Sequence, residues 1–192
     1  MTIPEFPIHD RGPVSRGFLA QGLDSFAKAA MHVRMLPYGR NSNRTDRILV
    51  LTEGRGTCSG KHALLAELAA EQGQPLELLL GFFRQAPENH PRVAAVLQKH
   101  GLAWYPEFHC YLRWQGQRLD FTGKSSPIEP DRELFDELVI RPDQVEEFKT
   151  EHHRHYLAEW LQREGLASRF DLAAIWAIRE ACIGARAEKS KK

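Results

Sequence analysis

The segment Leu76–Arg84 is the strongest constraint on the fold. It reads Leu-Glu-Leu-Leu-Leu-Gly-Phe-Phe-Arg, apolar nearly throughout, with Glu77 as an early interruption. A bilayer span takes about 20 apolar residues, so this run is far too short for one. Read as a strand, it buries side chains on both faces and therefore belongs inside a sheet covered by other elements. The chain has 192 residues, enough for one domain with a sizeable core and short for two.

The remaining periodicities supply the cover. Residues 1–14 read as an irregular arm. From Ser15 to about Leu36, the residues Leu19, Leu23, Phe26, Ala27, Ala30 and Val33 recur at helical spacing, and Pro37 and Gly39 end that helix. A long polar connection over 37–56 carries one short apolar run at Ile48–Leu51. A second helix is expected over 58–72, with Ala63, Leu64, Leu65, Leu68 and Ala69 on its apolar side and Gly73 as its stop. A short helix follows at Asn89–His100. Phe108–Trp114 and Arg118–Thr122 read as two strands around a Gln115-Gly116 turn. Asp143–Glu164 and Asp171–Gly184 are helical, with core faces at Leu157, Trp160, Leu161 and at Leu172, Ile175, Trp176, Ile178. This order predicts an α+β fold with an antiparallel sheet. It is expected as one domain over 1–192, with a core at 15–123 and added C-terminal helices at 143–184.

Composition excludes several function classes. With 26 basic and 25 acidic side chains the formal net charge is +1, which does not suit a nucleic-acid binder or a membrane-surface protein. Lys189, Lys191 and Lys192 form a small basic tail, read as a solvated end. Met1–Pro13 carries three prolines and no apolar run of the secretory type, so a cytoplasmic protein is expected. The three cysteines, Cys58, Cys110 and Cys182, do not suggest a disulfide framework. Cys110 and Cys182 fall on apolar faces.

Cys58 does not. It follows the turn Glu53-Gly54-Arg55-Gly56-Thr57 and opens an apolar helix. The first turn of a helix presents unused N–H groups and partial positive charge. Both favour thiolate over thiol, lowering the pKa from about 8.5. The same N–H groups can receive an oxyanion, and Gly56, Ser59 and Gly60 leave room for a carbonyl.

A thiolate enzyme needs a base and a group to orient it. On the strand Phe108–Trp114, the residues Phe108, Cys110, Leu112 and Trp114 share one face and His109, Tyr111 and Arg113 the other. A two-residue loop at Gln115-Gly116 pairs Trp114 with Gln117 and brings Asp120 to the His109 face, and a loop at Trp114-Gln115 places Asp120 directly opposite His109. A three-residue loop would send Asp120 to the opposite face. His109 and Asp120 then suit a general base and its orienting carboxylate.

A Gly-rich turn into a Cys-headed helix, then a strand with His109, then Asp120, resembles the transglutaminase-like cysteine-enzyme superfamily. The likeness runs over residues 17 to 123 and fits a small bacterial-type member. Gly56-Thr57-Cys58 looks like the superfamily's G-x-C, Tyr38 stands where it often has a tyrosine, and Leu76–Arg84 takes the place of its next strand. The resemblance implies a papain-like core, with the cysteine helix packed on a small antiparallel sheet. It implies Cys58, His109 and Asp120 as catalytic residues, acting through a thioester on a small-molecule, peptide or protein amide substrate. There are departures. Ser59, Gly60 and Lys61 stand where an aromatic or acidic residue is common. The calcium-loop pattern and the zinc-knuckle cysteines of some relatives are absent, as are the Glu and Asn that arylamine acyltransferases carry after the cysteine.

The expected activity is cysteine-dependent amide hydrolysis or acyl transfer. Competing readings are a catalytically silent interaction module on the same fold, an arylamine-type acyltransferase, and a thiol redox sensor. Tyr38, Arg55, Ser59 and Tyr111 are candidate substrate contacts. Asn41 and Asn43 are read as turn residues and His62 as a surface helix histidine. His152 with His155 lacks a third metal ligand, and the set Cys58, His62, His109 and Cys110 has no CxxC pair and splits His109 from Cys110 across the strand, so no metal, cofactor, nucleic acid or membrane is expected. His152, His153 and His155 read as a solvated helix face.

Overall fold

A computed structural model of the chain describes residues 3–124, 127–128 and 133–187, so the basic tail at Lys189, Lys191 and Lys192 lies outside the described residues. The described residues form an α+β fold of seven α-helices and a four-stranded antiparallel sheet. The elements are α1 (Pro13–Leu19), α2 (Phe26–Met35), α3 (Leu49–Thr52), α4 (Cys58–Glu71), β1 (Glu77–Gln85), α5 (Ala94–Lys99), β2 (Tyr105–Trp114), β3 (Gln117–Leu119), β4 (Phe135–Ile140), α6 (Glu147–Arg163) and α7 (Leu172–Ala187). The sheet order is β3-β2-β1-β4. The chain divides into two compact units, Met1–Gly81 with His109–Glu147, and Phe82–Phe108 with Phe148–Lys192.

The first unit is built on α4. Thr57 caps it, its hydroxyl accepting from the Gly60 N–H at 3.3 Å. The expected one-sided apolar face is instead burial nearly all round: Cys58, Ser59, Lys61 and His62 are buried together with Ala63, Leu64, Leu65, Ala66, Leu68 and Ala69. Helices α1, α2 and α3 pack against it. Leu64, Leu65 and Leu68 are fully buried, each contributing about 2 kcal/mol by leaving water.

The single helix expected over Ser15–Leu36 is broken between Leu19 and Phe26. The arm is the cause. Its backbone pairs with the break, the Ile8 N–H donating to Asp24 O at 2.8 Å and the Phe26 N–H to Phe6 O at 3.0 Å. That pairing holds Ser25 extended, where its side chain caps α2. The arm is correspondingly less irregular than expected. Phe6 and Ile8 are core residues, and α1 starts at Pro13.

The hairpin forms as its sequence predicts. Gln115 (φ 48°) and Gly116 (φ 82°) make a two-residue turn with both residues in the left-handed region. The register pairs Trp114 with Gln117 and Leu112 with Leu119. The second strand is shorter than expected and stops at Leu119. The next N–H, that of Asp120, leaves the ladder and donates to Ile128 O at 2.6 Å. Strand β4 was not anticipated. Its Glu137 pairs with Arg118 at 2.7 Å and accepts from the Tyr111 hydroxyl.

The second unit gathers Val93, Leu97, Leu102 and Tyr105 with Leu157, Trp160, Leu161, Ile175, Ile178 and Cys182 in one core. Leu172, expected in that core, is 36% exposed, one turn before the buried stripe begins. His153 is buried rather than on a solvated face, bonded to Pro106 O at 3.0 Å. Beside it, buried Glu107 accepts from Arg179 Nη2 at 2.8 Å and Nε at 3.2 Å. Burial works against the Glu107 carboxylate, but Arg179 holds its pKa below the ordinary value. Arg179→Ala strands that charge and is expected to cost about 3–5 kcal/mol in urea unfolding. A loss under 1 kcal/mol would show the pair to be dispensable.

Candidate functional site

All three triad candidates lie in the first unit. Cys58 is the first residue of α4. The turn before it admits only glycine at position 56, because a Cβ there would sit 2.9 Å from Lys61 Cγ and 3.2 Å from a Val50 methyl. Gly56 is also paired through its backbone, donating to Pro37 O at 3.1 Å and accepting from the Gly39 N–H at 3.3 Å. Tyr38 stands opposite Gly56 across this bridge and is 57% exposed, so it sits at the lip of the cysteine turn.

His109 comes from β2. Its Nε2 meets Asp120 Oδ2 at 2.6 Å, and the ring also hydrogen-bonds the Cys58 side chain. With Nε2 engaged by the carboxylate, Nδ1 is the nitrogen left to face the thiol. The other carboxylate oxygen, Asp120 Oδ1, accepts from the Thr122 N–H at 2.8 Å. This bond is a consequence of β3 ending at Leu119, which lets the chain turn so that Asp120 is gripped on both oxygens. Cys58 and His109 each keep 8% of their surface, and Asp120 keeps 4%.

Electrostatics follow from that geometry. Burial opposes a charged His109, but the hydrogen bonds to Asp120 and Cys58, with their negative charge, outweigh it and hold its pKa up at about 9. Burial likewise opposes the Asp120 carboxylate. The bond to His109, and the positive charge there, hold its pKa well below the carboxylate range. The site therefore favours imidazolium at His109, with the Asp120 carboxylate on one side and the Cys58 side chain on the other.

Two residues here escaped the sequence reading. His62, expected on the surface, is fully buried. Its Nε2 accepts from the Phe121 N–H at 2.7 Å, so the proton sits on Nδ1, which donates to Cys58 O at 2.8 Å. Burial pushes its pKa down, keeping it neutral. His62 thus joins the cysteine turn to the segment bearing Asp120. Lys61 is also fully buried, its Nζ donating to Leu36 O at 2.6 Å and Thr122 O at 2.8 Å. The available signal was position: residues three and four after Cys58 share its helix face.

The candidate substrate contacts divide. Tyr38 is exposed at the lip, and Arg55 is half-exposed and paired with Glu53 at 3.0 Å. Ser59 and Tyr111 are buried. Ser59 Oγ lies 3.2 Å from Cys110 Sγ, and the Tyr111 hydroxyl donates to Glu137. Asn41 and Asn43 shape the preceding loop, Asn41 Nδ2 donating to Leu49 O at 3.1 Å and Asn43 Oδ1 accepting from the Thr45 N–H at 3.0 Å. His155 pairs with Glu159 at 3.1 Å, while His152 stacks between Phe108 and Phe148.

Chemically, the arrangement sets a thiol at a helix start, an imidazole hydrogen-bonded to it and a carboxylate bonded to the imidazole, the groups that nucleophilic catalysis requires. No protein-family model, curated protein or solved structure matches the chain.

Proposed function

We propose that the chain is a transglutaminase-like cysteine enzyme that cleaves or transfers acyl groups through a thioester. One observation carries this reading: His109 touches both the Cys58 side chain and, at 2.6 Å, the Asp120 carboxylate. An interaction module has no need of a buried histidine held as a cation between a thiol and a carboxylate.

The steps follow from the geometry. The Cys58 thiolate adds to the substrate carbonyl carbon, and the oxygen gains the negative charge. N–H groups in the first turn of α4 stabilise that oxyanion. As the C–N bond breaks, imidazolium His109 gives its proton to the departing amine, leaving an acyl group on Sγ and a neutral ring. Water, deprotonated by His109, then attacks the thioester, releases the acid and restores the thiolate–imidazolium pair. An amine in place of water completes a transfer. Asp120 keeps the ring oriented through both halves. Amide hydrolysis is the first reading. With Cys58 nearly covered, a slender acyl chain is the better fit.

The test is covalent trapping. Incubated with a panel of activated esters, amides and peptides and quenched in acid, the protein should gain an acyl mass on the Cys58 peptide that hydroxylamine removes. Acylation confined to other residues, or no acyl mass from any compound, would count against the proposal.

A further inference from the structure

We propose that Lys61 is a positioning residue of the Cys58 site, its ammonium group holding the Asp120 segment against α4 and supplying fixed positive charge to the thiolate. This rests on the catalytic reading above and adds a residue to it. Three observations support it. The first is the anchorage: Nζ reaches Leu36 O at 2.6 Å and Thr122 O at 2.8 Å. Leu36 O precedes the strip that pairs with Gly56, and Thr122 donates its N–H to Asp120 Oδ1. One side chain from α4 thus ties down the cysteine turn's neighbour and the carboxylate's own anchor.

The second is the missing counter-ion. Lys61 is fully buried, and among the described residues no carboxylate lies within ion-pair distance of its Nζ. Two carbonyls do not balance a buried charge, which is costly unless paired. The anions that act on it are Cys58 and Asp120, and both favour its charged form. His62, next to it on α4, is neutral, so it does not compete, while His109 across the site is the other cation.

The third is the close fit with Gly56, where a Cβ would strike Lys61 Cγ. The stem is packed against the very turn that presents the thiol. Burial brings the ammonium's pKa down to about 8 against the opposing pull of those anions, so the charge is present at neutral pH and weakly held.

The experiment measures the rate of Cys58 alkylation by iodoacetamide against pH, by intact mass. Lys61→Met should raise the acid midpoint by about 1 pH unit, while Lys61→Arg, which keeps the charge, should leave it near the wild-type value. A folded Lys61→Met protein with the wild-type midpoint would overturn the proposal, since a purely structural clamp does not move a thiol's titration. Coupling is reciprocal. Lys61 ammonium titration by nitrogen NMR in wild type and in Cys58→Ser therefore decides the matter even if Lys61→Met does not fold. The lysine's midpoint should fall in Cys58→Ser, and an unchanged midpoint refutes the coupling. Wild-type labelling confined to above about pH 8.5 would remove the catalytic reading itself. A low wild-type midpoint indifferent to Lys61 would remove this inference alone.

Discussion

Cys58→Ala is expected to abolish turnover of any substrate the protein accepts, by about 10⁴-fold or more, and His109→Ala is expected to cost nearly as much. The reason is that the two act as a unit. The imidazolium is held at a pKa of about 9 partly by the Cys58 side chain, and its charge in turn favours the thiolate. Removing either leaves the other without its function. The double variant should therefore be little worse than either single one, whereas independent contributions would multiply. Steady-state rates of the three variants on one substrate settle this. Activity surviving in Cys58→Ala within tenfold of wild type would place the chemistry elsewhere.

Asp120→Asn should lower kcat by about 10³–10⁴-fold while leaving the fold intact. The Thr122 N–H needs an oxygen acceptor at Oδ1. The asparagine therefore turns its carbonyl there and its amide NH₂ toward His109 Nε2. The ring must then accept on Nε2 and carry its proton on Nδ1, the nitrogen facing the thiol, where it can no longer take one. The sign of the pH effect follows. The hydrogen bond to Asp120 is the largest single effect that holds the His109 pKa up against burial. Without it, the pKa falls from about 9 toward the ordinary value. The basic limb of the rate profile should move down from near pH 9. A redox sensor built on Cys58 predicts instead that Asp120→Asn changes little.

Local signals carried the parts of this site that local structure decides. The Gly-rich turn and the apolar run after it place Cys58 at a helix start, and α4 begins at that residue. The Gln115-Gly116 turn fixes a two-residue loop, and with it the even register on which Asp120 depends. What stayed hidden was set by tertiary contacts. The arm breaks the first helix because residues 6–8 pair with it, and no periodicity within 15–36 shows that. Strand β4 reads Phe-Asp-Glu-Leu-Val-Ile, and its two acids mask it until Glu137 is seen to meet Arg118 and Tyr111. Lys61 and His62 look like surface residues in any one-dimensional reading. They are buried because α4 is covered on nearly every side, so its polar residues face the site or the backbone. Ser59 is buried on α4 for the same reason, while Tyr111 is buried on β2.

The most direct measurement is the pH dependence of Cys58 alkylation in the wild-type protein, with Cys110 and Cys182, both fully buried, as internal references. A thiolate–imidazolium pair predicts labelling of Cys58 well below pH 8, at a rate that falls sharply in His109→Ala. Labelling that begins only above about pH 8.5, unchanged by His109→Ala, would contradict it.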